Sequence, residues 1–165
     1  MGPNRHASVV PSAPIQIRPL RPDEADEACA LARSVFDHCL APIHGDQGRD
    51  LFHRFAQPAA LLRRHARRYT SWVAVAGPEP VGLLHIHACN HISMLFVSPD
   101  KHGRGCGAGL IRAASEAGAL RPPLTVNSSP NAVGFYAKLA FVPAGPEHAA
   151  NGVRIQPMRR PGPFY

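Results

Sequence analysis

The chain has 165 residues, a length that suits one domain. Apolar residues make up 45% and charged residues 18%, enough for a packed core and too apolar for wholesale disorder. The formal charge is +7, but the basic residues are not interleaved with base-stacking aromatics; no nucleic-acid partner is expected, and an anionic cofactor or acidic substrate suits the charge.

No apolar run approaches the ~20 residues of a membrane span, so no membrane partner is expected. The opening segment, MGPNRHASVVPSAP, has neither an apolar h-region nor a cleavage pattern. Cys29, Cys39, Cys89 and Cys106 form no C-x-x-C pair, which points to free thiols in a reducing cytoplasm.

Residues 1–14 read as a loose tail. A strand is predicted over 15–21. A helix follows: Pro22 and Asp23 start it, acids fill its first turn, and Ala28, Leu31, Ala32, Val35, Phe36 and Leu40 recur at helical spacing. Residues 42–49 read as a loop, and 50–68 as a second helical region broken at Pro58. Three strands follow, YTSWVAVAG, PVGLLHIHA and HISMLFV, the last two joined by a turn at Cys89-Asn90. A glycine-rich loop then leads into a helix reaching about residue 119. PLTVNSS is a strand, 130–139 a short helix with Pro130 near its start, and FVPAG and GVRIQPM are two closing strands. The domain is expected over 15–158, with a tail over 159–165. Three consecutive strands before a helix exclude a plain doubly wound sheet. A mixed α/β (α+β) fold fits, with a mostly antiparallel seven-stranded sheet flanked by helices.

The stretch FVSPDKHGRGCGAGL carries four glycines, Gly103, Gly105, Gly107 and Gly109, where a helix must start. Each glycine inside a helix costs about 1 kcal/mol relative to alanine. Tight turning and close helix–sheet packing explain one or two of them. The cluster as a whole reads as a phosphate cradle, because first-turn N–H groups lack intrahelical partners and the helix dipole is positive there. The spacing matches neither G-x-G-x-x-G on a first strand nor a G-x-x-x-x-G-K-[ST] loop.

These residues resemble the GNAT superfamily of acetyl-CoA-dependent N-acyltransferases. The family's phosphate motif, [QR]-x-x-G-x-[GA] after a strand ending in an apolar residue, any residue and Val, is matched by His102-Gly103-Arg104-Gly105-Cys106-Gly107 after Leu95-Phe96-Val97. His102 stands where the family has Gln or Arg. AVGFYAKLAF resembles the segment A-x-x-[FL]-Y-x-[KR]-x-G-F, with Ala140 in place of glycine before Phe141. NGVRIQPM resembles the last strand of one branch.

The resemblance implies a sheet splayed between its fourth and fifth strands, with acetyl-CoA as co-substrate and no metal. The cofactor's pyrophosphate would lie on the N–H groups of Gly103, Arg104, Gly105, Cys106, Gly107 and Ala108, next to His102. Its pantetheine arm would pair with Leu95, Phe96 and Val97 as an added strand and touch Ser129. An N–H near Leu95 would face the thioester oxygen. Tyr136 is assigned as the general acid that protonates the leaving thiolate.

The strand before the loop carries no carboxylate. His91, whose ordinary pKa is near 6.5, is the ionisable residue suited to act as base, or else it holds the hairpin turn. Regular alternation would put His91, Ser93, Leu95 and Val97 on one face, making Ser93 a partner of His91. Asn127 would face the same cleft and bind the acceptor. His85, His87, Cys89 and His91 include zinc-ligand types, but a turn at Cys89 breaks their line. The expected acceptor is a small-molecule or peptide amine, and the resemblance implies a homodimer through the sheet or its last strands. The alternative is a catalytically silent acyl-CoA-binding regulatory module.

Overall fold

A computed structural model describes residues 13–164, so most of the predicted N-terminal tail lies outside the described residues. β1 (Ile15–Pro19) leads through a 3-10 turn at Pro22–Glu24 into α1 (Ala25–Cys39). Arg18 ties the two together, its Nη1 donating to Glu24 Oε2 over 2.9 Å, while the Arg21 N–H donates to the same carboxylate over 2.9 Å. α1 turns Ala28, Cys29, Ala32, Val35 and Phe36 inward, as its helical periodicity predicts.

The segment expected as a loop is helical instead. α2 spans Ala41–Phe55 and is broken once, at Gly45, where φ is 65°. Pro42 sits in the first turn, where a missing N–H does no harm, and Gly45 takes the left-handed geometry that ends one short helix and lets the next begin. α3 (Pro58–His65) follows the expected break at Pro58.

β2 (Tyr69–Ala76), β3 (Glu79–His87) and β4 (His91–Val97) form an antiparallel meander. α4 (Cys106–Glu116), β5 (Leu124–Ser128), α5 (Val133–Lys138) and β6 (Val142–Pro143) come next. β7 (His148–Ala150) and β8 (Val153–Arg160) close the chain. The sheet runs β1-β2-β3-β4-β5-β8-β6, with β7 also on β8. Every pair is antiparallel except β4–β5. The sequence reading gives seven strands; the eighth is the three-residue β7, whose Pro/Gly-rich flanks hide it. Nor is 159–164 a tail. β8 continues through Arg160, and Phe164 is buried against the core.

Two apolar layers cover the sheet. On one face α4 presses Leu110, Ile111 and Ala114 onto Trp72, Leu84, Ile86 and Ile92. On the other, α1 and α3 meet Leu83 and Met94 through Ala28, Cys29, Ala32 and Leu61, with Phe52 and Phe96 packed against them. A buried polar set lies on this second face. Arg64 Nε donates to His85 Nε2 at 3.0 Å, His85 Nδ1 is 2.8 Å from Ser71 Oγ, and that hydroxyl is 2.8 Å from His65 Nε2.

Candidate active site

The site begins at the edge of β4. The Ser98 N–H donates to Val81 O at 2.8 Å, so it points toward β3. Alternate residues of a strand address the same neighbour. The backbone polar groups of Phe96 therefore also face β3, and those of Leu95 and Val97 face β5. β5, however, pairs with β4 only through His91–Thr125 and Ile92–Val126. Beyond that point the strands part, as the resemblance implies, and the edge of β4 is left without a β5 partner.

The gap opens into a cleft of about 640 Å³. Leu95, Phe96 and Val97 form one wall. The loop His102–Gly105 and the start of α4 form the second, and Ser129, Phe135, Tyr136 and Leu139 the third. Val35, Cys39 and Leu40, at the end of α1, close the side opposite α4. Among the described residues its lining carries the basic side chains Lys101, His102 and Lys138 and no carboxylate.

The four glycines divide into two pairs. Gly103 and Gly105 have φ of 76° and 75°, with open space where a Cβ would stand, so they serve the backbone path. Gly107 and Gly109 serve packing. A Cβ on Gly107 would stand 3.0 Å from Phe135 Cζ, and one on Gly109 2.9 Å from Ile17 Cδ1. Gly105 is the N-cap of α4, and the Gly109 N–H bonds Gly105 O at 2.8 Å. The N–H groups of Cys106, Gly107 and Ala108 precede that first intrahelical bond, a ready anion site at a helix start.

Tyr136 is 5% exposed and reaches the cleft from α5. Its ring stands edge-on to Phe135 and Phe141, with centroids 5.0 and 5.3 Å away. Burial pushes the phenol pKa up, so it holds its proton. Ser129 Oγ donates to Asn131 Oδ1 at 2.7 Å, and Asn131 Nδ2 to Cys39 O at 3.4 Å, so a polar chain runs from the end of β5 to the end of α1.

Three sequence-based placements need correction. The pairing of β3 with β4 shifts by one residue at Ser93, opposite His85 and Ile86. This β-bulge resets the alternation. Ile92, Leu95 and Val97 pack with the α4 layer, Met94 and Phe96 with the other, and His91, next to Ile92, lies off the face of Leu95. The partner of His91 is Thr125, whose Oγ1 is 2.8 Å from His91 Nδ1, not Ser93. The His91 ring thus sits where β4 and β5 are still paired, and burial, with His87 nearby, lowers its pKa. His91, Ser93 and Asn127 are absent from the cleft lining, and Asn127 is exposed on β5 next to the buried Val126 and Ser128. His85 is fully buried in the polar set of the second face, and among the described residues no three His, Cys, Asp or Glu side chains converge as metal ligands.

Other cleft residues escape the sequence reading. Val35 and Leu40 look like ordinary core positions of α1, and Cys39 between them has no local signal. Lys101 and Lys138 are single lysines without a run around them. Phe135 and Lys138 do stand inside the AVGFYAKLAF segment, the one place where the sequence pointed to them.

Residues 40–161 match the family model described as the acetyltransferase (GNAT) domain. The chain belongs to the GNAT superfamily of acetyltransferases. A peptidyl-lysine N-acetyltransferase of Salmonella typhimurium, YjaB, is 32% identical over 138 residues, covering 79% of this chain and 86% of that protein. The crystal structure of a GCN5-related N-acetyltransferase from Rhodopseudomonas palustris superposes with a TM-score of 0.75 at 24% identity, covering 91% of this chain and 97% of that one. The PaiA N-acetyltransferase of Thermoplasma acidophilum, solved with coenzyme A, gives 0.74 at 16% identity over 90% of this chain and 99% of that one. The protein is an N-acetyltransferase of this fold. No helix among the described residues is long and apolar enough to cross a membrane.

Proposed function

We propose that this enzyme transfers the acetyl group of acetyl-CoA directly to the side-chain amine of a lysine in a peptide or protein, within a ternary complex. One observation carries the reading. The free edge at Leu95, the glycine loop that starts α4 and the Tyr136 ring share one cleft. The peptidyl-lysine activity of a relative sharing 32% identity supports the acceptor class.

The donor's phosphates would rest on the N–H groups of the loop and first turn, from Gly103 to Ala108. Lys101 and Lys138, on the cleft lining, add positive charge for them. The pantetheine arm would pair along the free edge of β4 in the manner of an added strand. That places the thioester near Leu95, whose N–H faces the gap and would stabilise the oxyanion. The acceptor would enter past Val35, Cys39 and Leu40, an apolar wall suited to a butyl chain.

The neutral amine attacks the thioester carbon. The N–C bond forms, the C–S bond breaks, and the sulfur takes a proton from Tyr136. Burial makes the phenol a weaker acid, so its use as donor rests on its position in the cleft, and solvent returns its proton after the transfer. His91 is held by Thr125 outside the cleft lining, so the amine proton leaves to solvent in the open cleft rather than to that ring. A reducing cytoplasm suits four cysteines that are all free thiols.

The test is calorimetric titration with acetyl-CoA of the protein and of its Gly105→Glu variant, followed by mass-spectrometric assay on lysine peptides. Binding lost in the variant, with acetyl added at lysine Nζ, is the expected result. No binding at millimolar donor would overturn the reading. Binding without transfer to any amine would leave a silent acyl-CoA-binding module.

A further inference from the structure

The Val97 carbonyl faces the gap where the donor arm would pair, yet it already has a partner. His102 Nε2 lies 2.7 Å from it. A carbonyl oxygen only accepts, so Nε2 carries the proton. The backbone N–H of His102 is also engaged, on Pro99 O at 3.2 Å. That N–H is not left for a phosphate, although the residue occupies the first position of the phosphate motif.

Beyond it residues 103–105 have little else to hold them, whereas Cys106 is buried in the core and Gly107 packs on Phe135. Gly103 and Gly105 have no atom within 4 Å of where a Cβ would stand. Backbone bonds secure the turn up to His102: Ser98 to Val81, Lys101 to Ser98 and His102 to Pro99. The next backbone anchor is the Gly109 N–H on Gly105 O, inside α4. The His102 ring is exposed, so burial does not dictate its direction. What it does is tie the start of the loop to the last residue of β4.

We propose that His102 is a positioning residue for the acyl donor. Its ring clamps the start of the phosphate loop to the end of β4, so that the N–H groups of residues 103–105 and the free edge at Leu95 keep a fixed separation. The donor must be held at both places at once, by its phosphates and by its arm, and a loop free to drift would satisfy only one. The ring also occupies one lone pair of Val97 O, so the arm pairs with the groups of Leu95 and with the Val97 N–H. The motif tolerates histidine here because a single N–H donor of suitable reach is what the position needs. The role in donor binding rests on the acetyl-CoA reading; the clamp does not.

Two measurements separate them. Amide order parameters of residues 103–105, without donor, should fall in His102→Ala and stay near the parent values in His102→Gln, whose amide can still donate to Val97 O. Steady-state kinetics of His102→Ala should show KM for acetyl-CoA raised about tenfold, the loss of one hydrogen bond, with kcat within about twofold and an unchanged thermal midpoint. His102→Gln should recover most of that KM. Unchanged order parameters in His102→Ala sink the clamp whatever the donor is. Lowered order parameters with an unchanged KM, or a Gln variant no better than Ala, remove its role in donor binding. Lowered order parameters in His102→Ala, with a parent protein that ignores acetyl-CoA, keep the clamp and overturn the acetyl-CoA reading instead.

Discussion

The ring of Phe135 lies against Gly107, so close that a Cβ there would stand 3.0 Å from Cζ and 3.2 Å from Cε2. Phe135 is 36% exposed and lines the cleft, so the ring has somewhere to go. Gly107→Ala is therefore expected to fold, with Phe135 turned toward the space the donor arm needs. Alanine is also the better helix former by about 1 kcal/mol, which offsets part of the clash. The thermal midpoint should move little while affinity for acetyl-CoA falls about tenfold or more. Calorimetry beside a melting curve checks this. Parent-like affinity would show that the ring yields away from the cleft.

Ala140 sits where the family carries glycine, and its φ is 65°. It ends α5 in a Schellman arrangement: Phe141 N–H bonds Tyr136 O at 3.1 Å and Ala140 N–H bonds Ala137 O at 3.1 Å. A left-handed alanine costs about 1–2 kcal/mol, while a glycine loses about 0.4–1 kcal/mol more through the unfolded chain. The first effect is larger. Ala140→Gly should stabilise the protein by about 0.5–1 kcal/mol, raising the midpoint by about 1–4 °C. A lower midpoint would mean that the strain is already relieved elsewhere.

Phe164 is held where the sequence predicts a tail. The Arg160 guanidinium lies 4.9 Å from its ring centroid and that of Arg112 5.8 Å, and Arg160 also donates to Pro163 O at 2.7 Å and Leu139 O at 2.9 Å. Leu139 lines the cleft, so this anchor backs one of its walls. Phe164→Ala should cost about 2–4 kcal/mol, read as a lower urea midpoint at an unchanged m-value. A loss below about 0.5 kcal/mol, the range of surface substitutions, would show that the ring is not held.

These cases mark what the sequence could carry. Periodicity exposed α1 through its one apolar face, and short apolar runs between turn signals marked β2 and β3, which are buried on both faces. The two motifs located the glycine loop and Tyr136, because each depends on residues adjacent in the chain. The rest depends on exceptions to local rules. Pro42, Gly45 and Gly48 read as loop, yet Gly45 needs to break the helix at only one residue. The bulge at Ser93 inserts a residue into β4 and so moves His91 off the face of Leu95, a shift that regular alternation cannot register. Cys39, Asn131 and Lys101 enter the cleft only through tertiary packing. At His102 the sequence shows only a departure from the family's Gln or Arg, and its partner on Val97 shows what the ring holds.

Acid should unfold this protein early. Burial is the main cause that lowers the pKa of His44, His65 and His91, and it pushes His85 down to about 3. In the unfolded chain each titrates near 6.5. Below that pH the unfolded state binds more protons than the folded one, so stability is full above about 6.5 and declines as pH falls through the folded values. Glu24, held at about 2 mainly by its hydrogen bond from Arg18, adds a loss of the same sign at lower pH, below about 4.5. The thermal midpoint should drop steadily from about pH 7 to about pH 4. A flat profile over that interval would contradict buried neutral histidines.

Tyr136→Phe tests the proton that the leaving sulfur needs. The ring's contacts with Phe135 and Phe141 are carbon contacts and survive the change, so the fold and the cleft shape should hold. Losing a positioned general acid typically costs about a hundredfold to ten-thousandfold in rate. The interaction exists only as the C–S bond breaks, so kcat should fall with KM for acetyl-CoA nearly unchanged. A donor with a better leaving group separates this from mere misplacement. With an acetyl thioester of an acidic aromatic thiol, the departing thiolate needs no proton, and the deficit of Tyr136→Phe should shrink toward the parent rate. Equal deficits with both donors would mean that the phenol orients the thioester and does not protonate it.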